Sequence, residues 1–265
     1  MGFKKAISFI VVLSMALHTS LSNATLADKS AAPMHYQTIK VPKGRYTLYI
    51  PDNNFFKLGY YEKAVVFESV FYIGKFEVSN SLWNLCFTLK GCNRPATIRA
   101  GETLDSPVVR VNWHDAYQFS KWYSSYTGKT YRLPTEEEWV YAAYMAKDHR
   151  SIEIIYDYSS LEKIRSISKK TMPLGSFKEN YWGLADFQGN VWEWTLTCWY
   201  ASKANKLKPQ TVAALNSPDA CTTRIVQGEN RAHIPDFIHD TYNGGCATLQ
   251  PAANLGFRLV LEEKK

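Results

Sequence analysis

The stretch from Pro173 to Trp194, PLGSFKENYWGLADFQGNVWEW, decides how this chain folds. Gly, Asn, Pro and Trp are frequent in it and no long periodic run appears, there or further on. This predicts irregular backbone held by aromatic packing and bridges rather than by regular ladders. Within GNVWEW, Gly189 allows a tight turn, and Trp192 and Trp194 bring large apolar area. Asn190 and Glu193 are expected to face one another across a short loop with oxygens that suit a hard cation. The alternative is that both bond backbone groups of their own loop.

Upstream, the pattern becomes helical. YRLPTEEEWVYAA, Tyr131 to Ala143, places Pro134 before a cap at Thr135. The Thr135 hydroxyl can accept from the Glu138 backbone N–H while the Glu138 side chain reaches back, and Glu136 and Glu137 suit the positive helix start. Trp139, Ala142 and Ala143 should line the buried side, and Arg132 can pair with a buried carboxylate or with carbonyls. Capping and core packing account for this motif fully. A helix from about Asp115 to Tyr126 is clearer still: Asn112 and Asp115 form a capping box, Ala116, Phe119 and Tyr123 share a face, and Gly128 follows the end. Tyr46 to Ile50 and Phe67 to Tyr72 read as strands. Asp148 to Lys170 mixes charges with Ile and Tyr and fits a short helix or an ordered loop.

The beginning of the chain has a different character. Lys4 and Lys5, an apolar stretch from Ala6 to Leu17 and a polar end at Ser22-Asn23-Ala24 predict an export signal over residues 1–24. The apolar part is too short to span a bilayer, so no membrane insertion is expected. Residues 25–40 are polar and predict a mobile leader, followed by one domain over 41–265. The formal charge is +7, lowered by two when Lys4 and Lys5 leave, and the surplus is scattered. With export, that argues against a nucleic-acid partner. All five cysteines, Cys86, Cys92, Cys198, Cys221 and Cys246, follow the signal. An odd count in an oxidising compartment implies two bridges and one leftover thiol, without saying which. A local bridge could close the short turn between Cys86 and Cys92.

Five motifs in order carry a resemblance: FEVSNSLWNL at 76–85, SPVVRVNWHDAYQFSKW at 106–122, YRLPTEEEWVYAA, the Pro173–Trp194 stretch, and Gly256-Phe257-Arg258. Together the segment from about residue 65 to 260 resembles the formylglycine-generating-enzyme and sulfatase-modifying-factor family. The resemblance implies an α+β, loop-rich single domain with the formylglycine-generating-enzyme fold, related to C-type lectins. It implies structural Ca2+ at positions Asn180, Asp186, Asn190 and Glu193. It also implies disulfides Cys86–Cys92 and Cys198–Cys221, leaving Cys246.

Members that generate formylglycine need two thiolates a few residues apart near the C-terminus, because Cu(I) prefers soft sulfur ligands. NGGCATLQPAANLGFR, around Cys246, has only one, and the family's Arg-Gly-Gly-Ser-Trp segment is replaced by Gln227-Gly228-Glu229-Asn230-Arg231. No copper and no formylglycine generation are therefore expected. The His-x-x-x-His-x-Glu helix of the iron-dependent branch is absent among His35, His114, His149, His233 and His239. Pro235 interrupts the group His233, Asp236, His239 and Asp240, whose histidines read as solvated or satisfied in the core. No Ser/His/Asp nucleophile set or phosphate loop stands out, and Gly244-Gly245 is a turn signal.

Two functional expectations result. The first is a non-catalytic periplasmic binding protein, since degenerate members of the family resemble immunity proteins against type VI secretion toxins. Its protein partner would meet the divergent stretches Asp148 to Lys170 and Gln227 to Cys246, with Arg150, Arg165 and Arg231 as contacts. The second is an oxygen- and metal-dependent oxidase, similar to exported family members that act in siderophore maturation.

Overall fold

The computed structural model describes residues 35–52, 59–144, 170–187, 189–199, 210–228, 245–249 and 254–263, the side chains of 49–61 and 245–247 excepted. These residues form ten strands and four α-helices in an α+β arrangement. The strands are β1 (Thr38–Val41), β2 (Gly44–Asp52), β3 (Gly59–Phe67), β4 (Phe71–Gly74), β5 (Thr130–Arg132), β6 (Trp192–Cys198), β7 (Thr223–Gln227), β8 (Gly245–Ala247), β9 (Leu255–Gly256) and β10 (Val260–Glu262). The helices are α1 (Asn80–Thr88), α2 (Trp113–Thr127), α3 (Glu136–Tyr144) and the single turn α4 (Val212–Leu215).

Both predicted helix starts take the expected form. In α2 the Asn112 side chain accepts from the Asp115 backbone N–H at 2.8 Å, and Asp115 accepts from the Asn112 N–H at 3.1 Å. Gly128 ends the helix at φ 70°, where a Cβ would be strained. In α3 the Glu138 N–H donates to the Thr135 hydroxyl at 3.2 Å and the Thr135 N–H to the Glu138 carboxylate at 2.8 Å. The helix α1, started by Ser79, went unread in FEVSNSLWNL, because its nine residues give one short apolar face.

Three sheets carry these helices. In the first, β1-β4-β10-β5, the C-terminal strand is inserted between β4 and β5, so the chain's end closes the fold. A second, β2-β3, is a hairpin. The third has the order β8-β7-β6-β9, with β6 and β9 parallel. One core gathers Trp83, Trp113, Phe119, Trp194 and Phe257 among α1, α2 and the third sheet. Trp83 stacks on Phe119 with ring centroids 5.7 Å apart. The other core gathers Tyr46, Trp139, Tyr141 and Phe187 under the hairpin and α3.

Three expectations need correction. Phe67 to Tyr72 is not one strand: β3 ends at Phe67 and β4 begins at Phe71, the chain reversing between two apolar runs. The region after Pro173 is irregular only as far as Val191, after which β6 to β9 form a sheet. All seven residues of β6 are buried, yet WEWTLTC alternates apolar with polar residues, a period-two strand signal left unread among the Gly, Asn and Trp that precede it. The leader does not extend to residue 40: Tyr36 is buried, and β1 pairs with β4 from Thr38 onward. Its N–H donates to the Tyr123 hydroxyl at 2.9 Å, its own hydroxyl to the Phe76 carbonyl at 2.6 Å, and that oxygen accepts from the Leu259 N–H at 3.1 Å. The export signal and residues 25–34 lie outside the described residues.

Candidate functional site

The Pro173–Trp194 loop wraps a buried charge centre. Glu193 on β6 and Arg258, two residues before β10, are both fully buried and pair side-on: Nε to Oε2 and Nη2 to Oε1, each 2.7 Å. Trp139 Nε1 donates to the same Oε2 at 2.9 Å. The other N–H groups of Arg258 reach the carbonyls of Gly74 (3.1 Å), Lys75 (3.3 Å) and Ala185 (3.1 Å), and its guanidinium lies 3.6 Å from the Phe187 ring centroid. All five donors are thus used. Burial works against the Arg258 charge, but Glu193 more than offsets it and holds the guanidinium above its ordinary pKa.

At the four positions expected to hold Ca2+, each side chain has hydrogen-bond partners of its own within the fold. Glu193 is committed to Arg258 and Trp139. Asp186 accepts from the Gly175 N–H at 2.6 Å and the Phe177 N–H at 2.9 Å. Asn190 accepts from the Met172 N–H at 2.9 Å, and Asn180 accepts from the N–H groups of Trp182 and Leu184, each at 3.1 Å. Asn180 also donates to the Ala142 carbonyl at 2.7 Å, tying the loop to α3. The buried guanidinium beside Glu193 disfavours a cation at that carboxylate. Asn190 bonds the Met172 backbone, and Glu193 bonds Arg258 and Trp139 rather than its own loop's backbone. Among the described residues no group of three His, Cys, Asp or Glu is placed to hold a metal.

Backbone strain sits beside these acceptors. Asp186 and Asn190 have φ of 65° and 59°, in the left-handed region that short polar side chains tolerate. Gly189 is needed for a different reason from the expected turn: a Cβ there would lie 2.4 Å from the Phe177 ring.

A second buried pair joins α3 to the C-terminal strand. Arg132 donates to both Glu138 oxygens at 2.7 and 2.6 Å and to Glu262 at 2.7 Å. Burial lowers the Arg132 pKa, but Glu138 and Glu262 together outweigh it, and the value stays above the ordinary one. A third centre is Glu102, which accepts from Arg99 Nε at 2.8 Å and from the Thr171 N–H at 2.9 Å. Burial disfavours its charge, yet Arg99 and the two backbone donors of Arg99 and Thr171 outweigh it, leaving the pKa below the usual carboxylate range. Arg224 on β7 is fully buried, 4.0 Å from the Trp113 ring centroid, and donates to the carbonyls of Leu196, Leu215 and Ser217.

Cys86 is bonded to Cys92, and Cys198 to Cys221. Cys246 lies on β8, its backbone opposite Arg224. Of the expected partner contacts, Arg150, Arg165 and Arg231 lie outside the described residues. Gln227, named as the start of a contact stretch, is instead buried and donates to Glu136 at 2.9 Å. Sequence reasoning missed Glu77, Glu102, Arg224 and Tyr36. The signal for Arg224 was a lone charged residue inside a β-branched run, TRIV.

Comparison with known proteins places this geometry among relatives. The pattern of the family described as Sulfatase-modifying factor enzyme 1-like domain matches residues 23–263. The chain is 27% identical over 185 residues to the Formylglycine-generating enzyme of Mycobacterium tuberculosis, covering 59% of this chain and 57% of that protein. It is 28% identical over 183 residues to the Inactive C-alpha-formylglycine-generating enzyme 2 of Bos taurus, covering 63% and 59%. The chain thus spans less than two thirds of the length of these curated relatives. In fold it is similar to PvdO from Pseudomonas aeruginosa, with a TM-score of 0.63 and 22% identity over 85% of this chain and 94% of that one.

Proposed function

The chain belongs to the sulfatase-modifying factor enzyme 1-like family, and from that premise we propose that it is a non-catalytic binding protein of the periplasm. One observation carries the reading. Four of its five cysteines are locked in disulfides, so Cys246 is the single thiol left where two soft ligands would be required for copper. The carboxylates around the family's loop are likewise committed to the fold, to Arg258, Trp139 and backbone N–H groups. A relative named inactive matches about as well as one named for the activity, which fits a scaffold whose function lives in its loops.

Two disulfides fit an exported protein, and among the described residues no helix is long and apolar enough to cross a membrane. The partner is then a protein met outside the cytoplasm. The resemblance to immunity proteins favours a toxin delivered by type VI secretion, with Arg150, Arg165 and Arg231 as contacts on the two divergent stretches.

The competing reading is an oxygen- and metal-dependent modifying enzyme of the same family. Elemental analysis of protein purified from its own periplasm separates the two. The binding role predicts neither copper nor iron near one per chain. Either metal at that level, removed by chelation and restored with a change in oxygen consumption, would establish the enzyme.

A further inference from the structure

Glu77 follows Phe76 on the segment that leads from β4 to α1. Its side chain is 1% exposed, and among the described residues neither carboxylate oxygen meets a hydrogen-bond partner. The charged and titratable groups facing it come from four places: Arg258 ahead of β10, Glu193 on β6, Asp186 in the wrapping loop, and Tyr36 ahead of β1. Lys75, the nearest cation along the chain, is paired with Glu179 at 2.7 Å.

Three acids therefore share one base. Glu193 takes two of the Arg258 N–H groups, carbonyls take the rest, and Asp186 has two backbone donors of its own. Nothing is left for Glu77. A buried carboxylate without donors, beside two others that have them, is the group on which ionisation is most costly. Burial pushes its pKa well above the ordinary value, Arg258 opposes that, and Glu193 and Asp186 push it further up.

The segment ahead of β1 is tied to the same stretch of chain. The Tyr36 hydroxyl is bonded to the carbonyl of Phe76, the residue before Glu77. Its ring crosses Gly74 so closely that a Cβ there would lie 1.9 Å from the hydroxyl. Beyond it, β1 lies at the edge of its sheet among the described residues, paired with β4.

We infer that Glu77 carries a proton in the folded protein, and that this proton keeps the segment from Tyr36 to Val41 seated as a pH-sensitive latch. Losing it to solvent leaves a carboxylate that only water can satisfy, and the least costly way to admit water is to lift the edge strand. A raised folded pKa means that this stabilisation is complete below the unfolded Glu value and is lost as pH rises through the folded one. The latch is therefore tightest in mild acid and loosens towards alkaline pH.

Hydrogen exchange, corrected for intrinsic rates, tests this on the wild-type protein and on Glu77→Gln, which mimics the neutral acid. In the wild type, protection of the β1 amides should fall with rising pH relative to those of β10, and in Glu77→Gln that fall should vanish. Infrared spectroscopy gives an independent reading: a protonated-carboxyl C=O band should persist at neutral pH and disappear only in alkali. If the variant does not fold, that wild-type band decides. A pH profile shared by both proteins, or no such band at neutral pH, overturns the inference.

Discussion

Arg258→Met should destabilise the protein by about 3–5 kcal/mol, because it removes one half of a buried ion pair and leaves the other half charged. Glu193 would retain a single donor, Trp139 Nε1, and the carbonyls of Gly74, Lys75 and Ala185 would each lose a donor, Lys75 keeping the Ala185 N–H. Arg258→Lys is not conservative here, since an ammonium offers three donors and cannot meet Glu193 side-on while reaching three carbonyls. Glu193→Gln should cost a comparable amount and, since its oxygens serve Arg258 and Trp139, cost the same in calcium as in chelator. A double-mutant cycle by urea denaturation measures the coupling. The Arg258→Met, Glu193→Gln protein should be distinctly more stable than the sum of the single losses implies. A larger loss in calcium would return a cation to this loop.

The second large effect concerns the excursion between β6 and β7. Its ends are tied by Cys198–Cys221, 23 residues apart, whereas Cys86–Cys92 spans 6. The chain-entropy relation gives about 3.5 kcal/mol for the longer loop and about 2.4 kcal/mol for the shorter. Paired replacement by Ser, which leaves no stray thiol, should reproduce that order in chemical denaturation. Removing Cys198–Cys221 also threatens Arg224, whose side chain is held by the carbonyls of Leu215 and Ser217 within that excursion. A greater loss on removing Cys86–Cys92 would mean that the longer loop keeps its native form in the denatured chain.

Legibility in the sequence depended on how local the governing contacts are. Both capping boxes could be read because cap and partner lie three residues apart, in Asn112 with Asp115 and in Thr135 with Glu138. Arg132 was read as a partner for a buried carboxylate or for carbonyls, and it meets both close by in sequence, Glu138 six residues away and the Leu133 carbonyl one away. Glu193 was noticed but misassigned, because its partner Arg258 is 65 residues on and nothing in GNVWEW indicates a guanidinium. A carboxylate beside an Asn looks like a cation site until a cation of the chain's own arrives. Tyr36 was assigned to a polar leader because its three bonds reach residues 40, 87 and 223 positions away.

The candidate site divides along the same line. The cysteine pairing came with the family resemblance, since arithmetic alone left the odd thiol unplaced. Glu77 gave no usable signal: one acid among Phe76, Val78 and a helix start could as well have pointed to solvent. What isolates it is the topology that brings β6, β10 and the segment before β1 to the same place, and no periodicity encodes that.

Action by binding rather than by chemistry can be checked in a protection assay. The gene and its neighbour would be deleted together, the cells exposed to toxin-delivering siblings, and this gene restored alone, with or without residues 1–24. Binding in the periplasm predicts rescue by the full-length form only, and equal rescue by Cys246→Ser, because no thiol takes part. Rescue lost with Cys246, or no killing from which to rescue, would contradict it.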